Sequence, residues 1–164
     1  MKSKRNLPNF VYFFLLIFIV GILAPADISA EDIKLSSGQT VYVSIYSHIY
    51  SGVKGRPFAL SATLSLRNTS PKIPITLTSV KYYDSDGKLV EEYLSQPKQL
   101  KPLVSWRYII PEGDKTGGSG ANFIVVWKSD QKVNPPIIEA VMIGTHSGQG
   151  ISFVSRGQVI KEDR

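Results

Sequence analysis

The chain has 164 residues, a formal net charge of +6 and no cysteine, and 43% of its residues are hydrophobic and 20% charged. The length fits one domain, and the composition is that of a globular protein, which excludes a disordered or collagen-like chain. The absence of cysteine excludes disulfide scaffolds, thiolate metal sites, catalytic thiols and lipidation of an N-terminal cysteine.

The first thirty residues have the pattern of a secretory signal peptide. Three of the first five residues are basic, and residues 10–24 contain no charge. A basic start, an apolar stretch of about 15 residues and a small residue at the cleavage site are typical of such a peptide. We predict cleavage after Ala30, or alternatively after Ala26. A retained membrane anchor is the other alternative, although a spanning helix needs roughly 20 apolar residues. In both cases the rest of the chain is expected to be exported, to the periplasm or the cell exterior.

Residues 40–160 are predicted to form one β-rich domain, between a lead at 31–39 and a tail at 161–164. Apolar and polar residues alternate most clearly in 58–66, as in a strand with one buried face. Turn-forming residues recur along the whole domain, which is typical of an antiparallel sandwich. We therefore predict a single all-β domain, an immunoglobulin-like antiparallel β-sandwich of about seven to nine strands. A small barrel is the alternative.

The pattern also predicts where most strands lie. The two tryptophans, Trp106 and Trp127, each fall on an apolar face of a predicted strand, so both are expected to anchor the core. Residues 122–128 are apolar on both faces, as in a central strand. The strands expected after the first are 58–66, 75–83, 89–94, 104–110, 122–128, 137–144 and 151–154.

The segment from Val41 to Tyr50 is predicted to be one strand with two different faces. Aliphatic residues dominate one face, and the other carries Tyr42, Tyr46, His48 and Tyr50. An exposed aromatic row could stack on sugar rings or receive the apolar side chains of a partner. The alternative is cross-strand packing of the tyrosines on the outer face of the sheet. These four side chains are candidate binding residues.

Simple up-and-down alternation places four connections at one end of the sandwich, near 47–57, 84–88, 111–121 and 145–150. Loops at one end of a sandwich are a common place for binding. The candidate binding residues at this end are His48, Asp114, Ser119, Asn122 and His146. Asp114 and Asn122 are also expected to fix their loop through side-chain hydrogen bonds to the backbone. The remaining connections, near 67–74, 95–98 and 129–136, are predicted at the opposite end.

These residues do not predict a catalytic set. A hydrolase triad of Ser119, His146 and Asp114 would lack the G-x-S-x-G elbow. Two histidines and a carboxylate are a legitimate metal-ligand set, but the close ligand spacing of a metal motif is absent. We therefore predict no catalytic residue, no metal ligand and no cofactor. The alternative is a hydrolase or metal-dependent enzyme that uses His48, Asp114 and His146.

Two glycine-rich loops with the strands that follow them give the most distinctive pattern, within GGSGANFIVVW and PPIIEAVMIGTHSGQGISFVSRG. Together with GQTVYVSIYSHIY, LSATLSLRNTS and ITLTSVKYYDSDGKLVEEYL, they resemble the bacterial family catalogued as domain of unknown function 3124, from about residue 38 to 160. The resemblance implies export, since family members tend to begin with export signals. Some of those are lipoprotein signals, for which this chain lacks the cysteine. The resemblance implies no activity and no catalytic residue. The middle of the chain is also similar to small immunoglobulin-like envelope modules.

The sequence therefore predicts an exported, non-catalytic binding or structural module of the bacterial envelope. An envelope protein or a polysaccharide is the expected partner, bound through the loop end or the tyrosine-bearing strand. The basic residues are scattered, without a Lys/Arg run or a basic helix, so nucleic-acid binding is not predicted. Contact with the membrane is expected only through residues 10–24, if that segment stays uncleaved.

Overall fold

The computed structural model describes residues 34–163, so the signal segment predicted at 1–30 lies outside the described residues. The described part contains twelve strands and one short 3-10 helix, Gly118–Gly120. Within it, no helix is long and apolar enough to cross a membrane. In chain order the strands are β1 (Ser36–Ser44), β2 (His48–Ser51), β3 (Arg56–Ala59), β4 (Ser61–Arg67), β5 (Ile75–Tyr83), β6 (Leu89–Glu92), β7 (Lys98–Leu100), β8 (Ser105–Ile110), β9 (Asn122–Val133), β10 (Ile137–His146), β11 (Gln149–Arg156) and β12 (Gln158–Glu162).

The strands form two antiparallel sheets and a separate hairpin. The first sheet has the order β12-β1-β9-β5-β6, and β7 pairs with the other half of β5. The second sheet has the order β11-β10-β4-β8, and β2 and β3 form the two-stranded hairpin. The central position predicted for the strand at 122–128 is confirmed, because β9 lies between β1 and β5. The predicted antiparallel β-sandwich is also confirmed, and the barrel alternative is wrong.

Alternation in the central strands sends every second side chain into the space between the sheets. Phe123, Val125 and Trp127 of β9 are fully buried, as are Leu64 and Leu66 of β4. Removing an apolar side chain of this size from water contributes about 1.5–3 kcal/mol to stability. The prediction that Trp127 anchors the core is therefore confirmed.

The strand predicted at 41–50 divides into β1 and β2. The backbone leaves the first sheet because Ile45 donates its amide to Ala121 O at 3.0 Å, and Ser47 donates its amide to Gly118 O at 3.1 Å. After Ser44 the chain therefore hydrogen-bonds to the loop that precedes β9 instead of to β9 itself. Alternation of apolar and polar residues continues through such a break, so the sequence pattern does not reveal it.

The described part of the chain has more strands than the seven to nine expected. The strand predicted at 58–66 divides at Leu60, whose amide donates to Ser47 O at 2.9 Å. Two further strands were not predicted. The strand β7 has only three residues and closely follows Pro97, and β12 has no fully buried side chain to mark an inner face. Short and exposed edge strands give little alternation signal.

The end of the sandwich opposite the histidines is held by side-chain hydrogen bonds to the backbone. The buried Asn68 amide donates to the carbonyl oxygens of Ile73 at 2.9 Å and Leu100 at 3.2 Å. Thr69 Oγ1 donates to Pro135 O at 3.1 Å, which joins two of the connections predicted at this end. These bonds satisfy polar groups that would otherwise be buried without partners.

The two sheets approach closely where β11 passes into β12 at Gly157. The amide of Gly157 donates to Ile138 O at 2.8 Å, which ties this crossing to β10. A methyl group at Gly157 would lie 2.6 Å from Val41 Cγ1 and 2.7 Å from Ile138 O. The contact with β1 on one side and β10 on the other leaves no room for a side chain between the sheets.

We expect Gly157→Ala to lower the free energy of unfolding by about 1–3 kcal/mol, the usual effect of overpacking a filled interior. Urea unfolding followed by tryptophan fluorescence measures this change. Gly113→Ala is the matched control, because no heavy atom lies within 4 Å of a methyl group there. Equal unfolding midpoints for the two variants would show that the crossing at Gly157 can relax.

Candidate functional site

The connections predicted to share one end of the sandwich do meet there. Ser47 and Ser85 each donate a hydroxyl hydrogen bond of 2.9 Å to the backbone of the loop that precedes β9. The ring of Phe58 lies edge-on to His146, with centroids 5.9 Å apart. The hairpin β2–β3, the β5–β6 turn, the loop before β9 and the β10–β11 turn therefore form one loop end.

His48 and Asp114 at the loop end both have local partners. His48 Nδ1 lies 3.3 Å from Ser47 Oγ, and His48 Nε2 lies 3.3 Å from Tyr50 Oη. Asp114 Oδ1 accepts hydrogen bonds from the amide and the hydroxyl of Thr116, at 2.8 and 2.6 Å. The prediction that these side chains fix their loop through the backbone is therefore confirmed for Asp114, whereas among the described residues the Asn122 side chain makes no such hydrogen bond.

The loop end does not bring the candidate catalytic residues together. Among the hydrogen bonds of residues 34–163, none joins a histidine to Asp114 or Ser119. No three His, Asp or Glu side chains in that range are grouped closely enough to hold a metal ion. Ser119 lies half-buried in the 3-10 helix, and Asn122 is half-buried at the start of β9. Neither the hydrolase triad nor the metal set considered for this end is assembled.

The residues predicted to form one aromatic row are divided among three places. Tyr42 is half-buried in the middle of β1. Tyr46 packs edge-on against Phe153 of the second sheet, with ring centroids 5.8 Å apart. His48 and Tyr50 lie on the β2–β3 hairpin with their rings 5.2 Å apart, and Tyr50 is 64% exposed. The break after β1 therefore separates a pattern that looked continuous in the sequence.

Tyr82 lies beneath the loop end and is almost completely buried. Its hydroxyl has no hydrogen-bond partner among the described residues. A methyl group at Gly117 would collide with this hydroxyl, so the glycine lets the loop close over the ring. Burial, followed by the charges of Asp114 and Asp84, raises the pKa of Tyr82 from 10.0 to about 12.

A second surface lies where the two sheets end side by side, at the edge formed by β6, β7 and β8. Here a hollow of about 490 Å³, called the edge groove below, opens between the β6–β7 connection and β8. Its wall is aromatic and its rim carries amides and an ammonium group. Its lining includes Tyr93, Gln96, Lys98, Gln99, Trp106 and Tyr108.

Trp106 is an exposed aromatic residue of the edge groove. The prediction that it anchors the core is wrong, because its side chain is 42% exposed. The strand β8 is the last strand of the second sheet and has β4 as its neighbour there. Lys98 Nζ lies 3.5 Å from the centroid of the Trp106 ring, which is a cation–π contact.

Two tyrosines close the core behind Trp106. The rings of Tyr93 and Tyr108 lie 4.7 Å apart and connect the first sheet to the second. Burial is the main cause of the raised pKa of both hydroxyls, and the charge of Glu91 raises the pKa of Tyr93 further. Both tyrosines are therefore neutral near pH 7 and present hydroxyls rather than charges. The groove combines flat apolar rings with hydrogen-bonding groups at its rim.

We expect Tyr82→Phe to reduce the loss of stability at alkaline pH. The folded state holds the Tyr82 proton more tightly than the unfolded state, and this difference stabilises the fold. The stabilisation is complete below the pKa of Tyr82 in the unfolded state and is lost as pH rises through its pKa in the folded state. Between about pH 9 and 12 the wild type should lose about 2 kcal/mol more than Tyr82→Phe. Urea unfolding at both pH values measures the difference, and Tyr83→Phe on the adjacent residue is the control. Equal pH dependence in the wild type and Tyr82→Phe would contradict the expectation.

Comparisons with known proteins give a family and distant structural similarities. Thermotoga maritima 1070 is similar at 12% identity and a TM-score of 0.45, over 76% of this chain and 97% of that one. FlgD from P. aeruginosa is similar at 14% identity and a TM-score of 0.23, over 78% of this chain and 75% of that one. No curated protein matches the chain. The family described as protein of unknown function (DUF3124) matches residues 38–160, and the chain belongs to this family.

Proposed function

We propose that the chain is an exported, non-catalytic binding module whose ligand is an envelope polysaccharide bound in the edge groove. The observation that carries this proposal is the 42% exposure of Trp106 on an edge strand, beside a hollow of about 490 Å³. The other tryptophan, Trp127, is fully buried in the core. Trp106 is thus available to a ligand.

The chemistry of the edge groove suits a sugar. A pyranose ring has an apolar face of C–H groups that packs on an aromatic ring, and its hydroxyls need hydrogen-bonding partners at the periphery. Trp106 offers the ring, and the side chains of Gln96 and Gln99 offer amides that both donate and accept hydrogen bonds. Lys98 adds a donor that already lies over the indole. Neutral tyrosine hydroxyls complete the set.

The arrangement of the loop end supports a non-catalytic role. A hydrolase needs a nucleophile, a base and an orienting group within hydrogen-bond reach of one point. Here the Asp114 carboxylate accepts a hydrogen bond from the Thr116 hydroxyl, and the His48 ring lies between the hydroxyls of Ser47 and Tyr50. These contacts stabilise turns and a hairpin rather than a reacting centre.

Export is supported by the sequence of the first thirty residues, which has a basic start and an apolar stretch. A sandwich without cysteine contains no disulfide, so its stability does not depend on the redox state of the compartment. A polysaccharide of the envelope would be accessible to such a domain in the periplasm or at the cell exterior.

We expect Trp106→Ala to weaken polysaccharide binding by about 30-fold, because a central aromatic contact contributes about 2 kcal/mol. Calorimetric titration with a soluble neutral β-glucan and with polygalacturonate measures the affinities. Tyr50→Ala is the matched control, since it removes an exposed ring at the loop end. Equal binding by wild type and Trp106→Ala would overturn the edge groove as the site. Absence of binding to both polymers would instead favour a protein partner.

We expect the exported protein to begin at Glu31. Intact-mass measurement of the protein from the periplasmic or culture fraction should show the loss of residues 1–30, because cleavage after Ala30 removes the signal peptide. Ala30→Leu places a large side chain at the cleavage site and should abolish the product that begins at Glu31. A full-length mass for the wild type in the membrane fraction would show a retained anchor instead.

A further inference from the structure

The outer face of the second sheet carries a group of four polar residues beside the edge groove. In the register of β4 and β8, Arg67 lies opposite Ser105 and Ser65 lies opposite Arg107. Neighbouring residues in such a pair have Cβ atoms about 4.5–5.5 Å apart, and diagonal neighbours about 7–8 Å apart. The two arginines are therefore diagonal neighbours with a serine hydroxyl beside each. We call this two-by-two arrangement the arginine cradle.

The arginine cradle is partly preorganised. Ser65 is 8% exposed, and its hydroxyl accepts a hydrogen bond of 3.0 Å from Arg67 Nε. This bond fixes the base of the guanidinium and leaves its two terminal nitrogens for another group. Arg107 and Ser105 are exposed beside it. The cradle lines a hollow of about 420 Å³.

The charge of this face is mainly positive. The ion pairs of residues 34–163 involve Lys81, Lys128 and Lys161, and none involves the two arginines of the cradle. Glu139 is the carboxylate of the same face, and it lies on β10 opposite Ser65 on one side and Arg156 on the other. Three arginines thus face one glutamate. Two guanidinium groups without a carboxylate partner are suited to bidentate contacts with an oxyanion.

The arginine cradle and the edge groove meet at Trp106. This residue lines both hollows, and Arg107 follows it on β8 with its side chain on the other face of the sheet. A polymer that packs on Trp106 and continues across the edge of β8 would next reach Arg107 and then Arg67. The two sites are therefore positioned to contact successive units of one chain.

We infer that the arginine cradle binds an oxyanion of the polysaccharide, so that the ligand is an acidic glycan. This inference rests on the proposed function, because the polymer is placed by the edge groove. Uronic acid carboxylates and phosphodiester groups share the oxyanion chemistry that two guanidinium groups recognise. The acidic group provides selectivity, while Trp106 provides affinity for the sugar backbone.

The test compares three polymers by calorimetric titration: neutral β-glucan, polygalacturonate with carboxylates, and poly(glycerol phosphate) with phosphodiesters. Wild type should bind one of the acidic polymers at least about tenfold more tightly than the neutral polymer, as expected for charge-assisted hydrogen bonds. The acidic polymer that binds better identifies the source of the oxyanion. The preference should fall as NaCl is raised from about 0.05 to 0.5 M.

The double variant Arg67→Gln with Arg107→Gln should bind the acidic polymer no better than the neutral one, and binding of the neutral polymer should not change. Lys54→Gln with Arg56→Gln is the matched control, because it removes the same charge from the exposed β2–β3 hairpin. Equal losses in the two double variants would overturn the cradle in favour of general charge attraction.

The outcomes also separate the cradle from the edge groove. Equal binding of neutral and acidic polymers by wild type, with loss in Trp106→Ala, would overturn the cradle and leave the proposed function intact. Arginine-dependent binding of an acidic polymer that survives Trp106→Ala would overturn the edge groove and leave the cradle. Absence of binding to all three polymers would overturn both. The thermal midpoint of each variant shows whether a loss reflects unfolding.

Discussion

The close approach of the two sheets at Gly157 is the constraint on which the rest of the sandwich depends. The backbone there lies between Val41 of β1 and Ile138 of β10, and a side chain would fill space that both strands already occupy. At this crossing, one edge of the sandwich is therefore closed by backbone rather than by a side chain. At the other edge the rings of Tyr93 and Tyr108 connect the sheets. Because paired sheets twist relative to each other, the distance between them differs at the two edges. Small groups are therefore expected to close one edge and large groups the other.

The candidate site follows from the way the second edge is closed. The tilted rings of Tyr93 and Tyr108 cover the core, so the next aromatic ring along β8, Trp106, is not needed to seal it. The exposed ring then lies beside the polar β6–β7 connection, and Lys98 at the start of β7 contacts it. The loop end has a different character, because Ser47 and Ser85 bind its loops together and Asp114 stabilises its own turn. Most of these polar side chains at the loop end form hydrogen bonds to the backbone.

Alternation of apolar and polar residues predicts the inner face of a strand but not the place of that strand in its sheet. Trp106 and Trp127 have similar local patterns, yet Trp127 lies on a central strand and Trp106 on an edge strand. Sheet order depends on long-range pairing, which no short segment contains. The same limit explains why the predicted tyrosine row was divided, since Ser47 pairs with a loop distant in sequence. The turn at Asp84 and the meeting of the loops were predictable because local turn residues and antiparallel alternation fix them.

The charge of Arg107 on β8 also has a structural role that is independent of binding. An exposed edge strand is prone to pair with other chains, and a charged residue such as Arg107 discourages this. That explanation does not extend to Arg67, because β4 is an interior strand with β10 and β8 as neighbours. Nor does it account for the Ser65 hydroxyl that holds the Arg67 guanidinium in place. Edge protection therefore explains one arginine of the cradle, whereas recognition of an oxyanion explains both arginines and the serine between them.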